Sequence, residues 1–163
     1  MRSTIAIVWG IIALVLVNVS VWNKEHLLAN GQVVYLQLAP VDPRSLMQGD
    51  YMALRFSIAT RLDPSMLSRS GNLVVTLDER RVAAFRRVDD GQPLAPNELR
   101  LRYRLRNAAV KFATNAFFFQ EGDAQLYANA AYGEFRVADN GDLLLTGLRA
   151  TDLHRLGPPE RSD

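Results

Sequence analysis

The chain has 163 residues, a formal net charge of +2 and no cysteine. That leaves room for one modest domain and excludes structural disulfides, thiolate zinc sites and thiol catalysis. The charge excess is too small for a nucleic-acid footprint, and no RNA-binding signature, zinc-finger spacing or basic helix accompanies it, so nucleic acid is not an expected partner.

Residues 5–22, IAIVWGIIALVLVNVSVW, carry no charge. A helix rising about 1.5 Å per residue gives this stretch a length of roughly 27 Å, close to the ~30 Å of a bilayer core. Trp22 suits the membrane interface, and Lys24 can snorkel to the headgroups. A cleaved leader would need a shorter apolar run and a small-x-small site; Leu27-Leu28-Ala29 places leucine at the −3 position. The expectation is an uncleaved anchor over residues 1–30, stopped at Asn30-Gly31. With the N-terminus inside and the remainder exported, a bacterial protein of this kind would sit in the inner membrane with a periplasmic domain.

Residues 31–153 read mainly as β. The run 31–39 (GQVVYLQLA) has strand composition, and 40–50 (PVDPRSLMQGD) is a loop rich in turn formers. The stretch 51–58 (YMALRFSI) returns to strand, with Met52, Leu54, Phe56 and Ile58 on one face. Asp63-Pro64 predicts a short helix over DPSMLSRSG, ended by Gly71. Residues 72–88 form a hairpin around Asp78-Glu79-Arg80-Arg81, and 89–98 is a loop. The run 99–107 alternates strictly, with Arg100, Arg102, Arg104 and Arg106 opposite Leu99, Leu101, Tyr103 and Leu105. A further apolar strand spans 109–120, a helical segment spans 121–132, and 133–150 is a hairpin turning at Asp139-Asn140-Gly141. Residues 154–163 read as a disordered tail. The fold class is therefore α+β: a mostly antiparallel sheet or open barrel with one or two short helices, behind a single transmembrane helix.

Candidate chemistry is sparse. His26 and His154 are isolated and have no ligand spacing, and the Asp89-Asp90-Gly91 and Asp139-Asn140-Gly141-Asp142 clusters lack a full calcium-loop pattern. No metal, cofactor or catalytic set is expected. Asp42 and Asp50 flank one loop and can in principle share proton or cation chemistry, although Asp beside Pro and Gly more commonly accepts loop N–H bonds. Four arginines on one strand face can meet anionic headgroups or an acidic protein, against the plainer reading of a solvated sheet face.

Gly49-Asp50-Tyr51, then Leu54, then Phe56, resemble the signature of the GDYXXLXY family, membrane-anchored bacterial proteins of unknown function. Asp42-Pro43-Arg44 is similar to the family's lead-in, and Phe118-Phe119-Gln120-Glu121-Gly122 to its second recurring block. The last signature position is Phe56 rather than tyrosine, which favours packing over hydroxyl chemistry there. The resemblance implies a membrane-anchored β-rich domain whose candidate functional loop comprises Asp42, Pro43, Arg44, Gly49, Asp50, Tyr51, Leu54, Phe56, Glu121 and Gly122. A weaker likeness to membrane-anchored signal peptidases fails on residues: Pro40 stands at the nucleophile position, and Lys111 is the only lysine available as a base. The reading is an accessory subunit that binds an envelope or integral membrane protein, anchored through residues 5–22. The alternative is a small-ligand or hydrolytic site that uses Asp50 and Glu121 in one cleft.

Overall fold

The structure, a computed structural model, describes residues 2–40, 47–48, 51–114 and 116–158, with the side chains of 2–6 and 47–48 outside the description. Helix α1 (Arg2–Asn30) contains one apolar stretch, Ile7–Asn30, long and apolar enough to cross a membrane, with mean hydropathy 1.7 and an 18-residue apolar window that the rest of the chain leaves unburied. Gly31 ends the helix, its N–H donating to the Leu27 carbonyl at 2.9 Å. A Cβ at Gly31 would stand 2.5 Å from that carbonyl oxygen, so no larger residue fits without a shift. The Gly31 carbonyl in turn accepts from the Arg136 guanidinium at 3.0 Å, and Leu27 is buried. The helix thus passes into the sheet at β1 (Gln32–Gln37) with no linker between them.

The remaining strands are β2 (Met47–Gln48), β3 (Tyr51–Ala53), β4 (Ser70–Leu77), β5 (Ala83–Val88), β6 (Glu98–Arg106), β7 (Ala109–Phe112), β8 (Ala116–Phe118), β9 (Tyr132–Val137), β10 (Leu143–Arg149) and β11 (Arg155–Leu156). They form three antiparallel sheets in the orders β1-β9-β10-β11, β5-β4-β6-β7 and β2-β3-β8. The two larger sheets curve as half-barrels, and backbone contacts join them. Tyr35 bridges Val82, and the Arg102 N–H donates to the Gly141 carbonyl at 2.8 Å. Gly141 occupies the left-handed region at φ 86° in the β9–β10 turn, where glycine carries no steric cost. The α+β, mostly antiparallel architecture behind one apolar helix is as the sequence predicts.

Period-2 patterning decides the core. Val34 and Leu36 of β1, Leu73 and Val75 of β4, Leu101 and Tyr103 of β6 and Phe135 of β9 are inward-facing and essentially inaccessible. Burying such side chains supplies about 1.5–3 kcal/mol each relative to exposure, which is the dominant favourable contribution to the fold.

Several predicted elements are shorter than the sequence suggests. The strand over 51–58 ends at Ala53; Phe56 makes an isolated bridge to Leu38, and Ser57–Thr60 coil into a one-turn helix, α2, whose Ser57 hydroxyl donates to the Leu38 carbonyl. The buried face of 51–58 is nevertheless the predicted one. The helix expected over 63–71 is a single 3₁₀ turn, Pro64–Met66, capped by Asp63 as predicted but ended before Gly71, which lies inside β4. The single strand expected over 109–120 divides into β7 and β8 in different sheets, because Ala113 takes a left-handed φ of 32° and breaks the ladder. The helical segment expected over 121–132 is a 3₁₀ turn, Asp123–Tyr127. Arg155–Leu156, placed in the tail by sequence, pairs with β10 through Leu148 and Arg149; residues 159–163 lie outside the described set.

Candidate functional site

The three-stranded sheet brings the two motif blocks together. Tyr51 opens β3 and is the direct cross-strand partner of Phe118 in β8, with ring centroids 5.8 Å apart and planes tilted by 42°. Strand alternation sends Phe117 and Phe119 to the opposite side from Phe118. Both meet Tyr127, Phe117 edge to face at 5.0 Å and Phe119 stacked at 5.4 Å. Burial raises the Tyr127 phenol above its ordinary pKa, and the nearby Asp123 charge pushes in the same direction. Phe118 is 73% exposed, so the outer face of this sheet presents an aromatic side chain to solvent beside half-buried Tyr51.

The signature's later positions point inward. Leu54 is buried, and Phe56 is fully inaccessible, with its ring edge to face against Phe112 at 6.0 Å and Phe135 at 5.4 Å. Phe56 is a packing residue. Glu121 is exposed in the turn that follows Phe119-Gln120, and Gly122 holds φ 93° to start the 3₁₀ turn. Asp42, Pro43, Arg44, Gly49 and Asp50 lie outside the described residues, as does most of the expected 40–50 loop. Met47 and Gln48 pair with Met52 and Tyr51.

The arginine ladder divides into two halves. Arg100 is held by Asp89 at 2.8 Å and donates to the Gln92 carbonyl, which keeps the Asp89 carboxyl below the usual carboxylate range. Arg102 lies 2.7 Å from Asp142. Arg104 and Arg106 are exposed, and among the described residues neither makes an ion pair. His154 approaches Asp152 at 2.6 Å in an exposed turn; the His154 backbone N–H, then its ring, lower the Asp152 pKa. Among the described residues no group of three His, Cys, Asp or Glu side chains is placed to hold a metal ion.

Sequence reasoning did not mark Tyr127, the buried base on which Phe117 and Phe119 rest. It marked Lys24 as an interfacial residue and Lys111 as the lone candidate base, but did not place either beside Arg102, Arg104 and Arg106, as the fold does. The Tyr127 signal was faint, one aromatic in a segment read only as helical. The Lys111 signal was present in the alternation of 109–112, which leaves Val110 and Phe112 buried and Lys111 on the other face.

Neither a curated protein nor a solved structure matches the chain. Residues 13–148 match the family profile described as "GDYXXLXY protein", which spans α1 from within the apolar stretch through β10 and includes both motif blocks. The chain belongs to the GDYXXLXY family.

Proposed function

We propose that the protein is a non-enzymatic accessory subunit of a membrane assembly. It is held in the bacterial inner membrane by α1, and its β-rich domain on the periplasmic side binds another envelope or integral membrane protein. The observation that supports this reading is the Tyr51–Phe118 pair. The two motif blocks, 67 positions apart in sequence (118 − 51), meet on one small sheet whose outward residue is an exposed phenylalanine. Aromatic side chains presented outward are characteristic anchors of protein interfaces, because they bury a large area with few rotatable bonds. The direct run of α1 into β1 keeps that surface at a fixed height above the bilayer, which suits a partner that is itself in or on the membrane.

Affinity capture of the full chain from gently solubilised membranes tests the reading. A protein retained by the parent chain and lost with Phe118→Ala supports it; capture profiles that do not differ between the two chains remove its basis. A reporter fused after residue 158, active only when exported, tests the periplasmic placement. Activity only of a cytoplasmic reporter would reverse the orientation.

A further inference from the structure

Five cations converge on one cleft of about 640 Å³ where β6 and β7 pass the foot of α1. Arg102, Arg104 and Arg106 enter it from the outward face of β6, Lys111 from β7 and Lys24 from α1. Asp142 is the single carboxylate among its lining residues, and it is engaged with Arg102. Arg104 and Lys111 are direct cross-strand partners, so two positive side chains stand opposite one another. Like charges in that position oppose sheet formation rather than support it. On the other flank of β6, Arg104 faces Ser70 and Arg102 faces Asn72, neither of which brings negative charge. Among the described residues Lys24, Arg104, Arg106 and Lys111 form no ion pair.

The unopposed charge is confined to the end of the ladder nearest the membrane helix. Arg100, farthest along, is neutralised by Asp89, whereas the α1 end is not. A solvated sheet face gives no reason for that asymmetry. Lys24 follows Trp22 by two residues, about 3 Å further along the helix axis. An interfacial Trp22 therefore sets the cleft at the depth of lipid headgroups. Leu143, Leu144 and Ala113 supply an apolar wall beside the cations. Guanidinium groups bind phosphate oxygens through paired N–H donors, and lysines add mobile point charges.

The geometry points to this cleft as a binding site for the phosphate of an anionic phospholipid headgroup, drawn from the leaflet in which α1 ends. The site rests on the membrane helix and the cationic strand face, and it is independent of the partner surface at Tyr51 and Phe118.

The test is native mass spectrometry of the full chain released from a neutral detergent, with phosphatidylglycerol or phosphatidylcholine added at equal concentration. The parent chain is expected to retain phosphatidylglycerol selectively. A variant carrying R104Q, R106Q and K111Q is expected to bind it at least about tenfold more weakly, since each basic group near a lipid surface contributes severalfold. Arg104→Lys with Arg106→Lys, which keeps the charge, should retain much of the binding. Arg86→Gln, an exposed arginine of β5 outside the cleft, should leave it unchanged. Thermal unfolding of each variant separates loss of binding from loss of fold. Equal retention of the two lipids, or retention by a folded triple variant matching that of the parent, overturns the proposal. Displacement of the lipid by inorganic phosphate at similar concentration also overturns it, by assigning the site to a free anion.

Discussion

Phe56 lies edge to face against Phe135, with ring centroids 5.4 Å apart and planes crossing at 65°. Phe112 meets the same ring from β7, so Phe56 ties together the two larger sheets and the segment carrying the signature. Phe56→Ala is expected to cost about 3–5 kcal/mol, the usual range for removing a buried aromatic ring. Phe56→Tyr, which restores the family's residue, is expected to cost about 1–3 kcal/mol because the added oxygen enters a filled aromatic cluster. Denaturant unfolding of the full chain in detergent measures both; a tyrosine variant as stable as the parent would contradict the packing role.

The exposed member of the other aromatic pair should behave oppositely. Phe118→Ala is expected to change stability by no more than about 0.5 kcal/mol, as for surface positions generally. Tyr127→Ala, which removes the ring beneath Phe117 and Phe119, should cost about 3–5 kcal/mol. Paired unfolding curves check the contrast. Equal losses for the two would place Phe118 in the core and remove its role as a contact residue.

Gly31 sets the seat of α1 on the sheet. A Cβ there would meet the Leu27 carbonyl at 2.5 Å, the Leu27 Cδ1 at 2.8 Å and the Arg136 Cβ at 3.1 Å. Gly31→Ala is expected to destabilise the junction by about 1–3 kcal/mol, the cost of overpacking a close contact. It should also raise protease sensitivity between residues 28 and 33. Gly10→Ala meets nothing within 4 Å and serves as the matched control. Protease digestion of both variants, with no difference between them, would show that the close contact is dispensable.

Two carboxylates paired with arginines contribute to the acid response. The Arg100 hydrogen bond holds Asp89 below its ordinary pKa, and the Arg87 hydrogen bond, followed by the Ala95 N–H, does the same for Glu98. A depressed folded-state pKa means that the stability these groups contribute is fully present above their unfolded values, near pH 4, and is lost as pH falls through the folded values. Unfolding midpoints should therefore drop below about pH 4. Arg87→Gln with Arg100→Gln should lower stability at pH 7 and flatten that acid limb. An unchanged slope in the double variant would show that these pairs do not carry the pH dependence.

Local pattern made much of this fold legible. The strict alternation of 99–107 identified β6 and its buried face, and Asp139-Asn140-Gly141 identified the β9–β10 turn. The apolar run identified the helix long and apolar enough to cross a membrane, and Asn30-Gly31 its end. The helices expected over 63–71 and 121–132 are single 3₁₀ turns, and expected strands break where a short segment changes sheets. Nothing in AVKFATNAFFFQ marks the left-handed turn at Ala113, because alanine normally avoids that conformation and only the surrounding pairing imposes it. The same limit shortened the 51–58 strand, whose periodicity continues although its hydrogen bonding does not.

The candidate sites divide along the same line. Composition and periodicity by themselves determined a helix apolar enough to cross a membrane, an antiparallel β domain and which residues face its core, because those properties follow from interactions within a few residues of chain. The signature identified the family on residue identities alone. Only the tertiary structure decided that Tyr51 pairs with Phe118, that Phe56 packs against Phe112 and Phe135, and that Lys24 and Lys111 join the arginines of β6 in one cleft. Each of these joins residues far apart in sequence through strand register and the seating of α1, and both are fixed by how the sheets bury their apolar faces together.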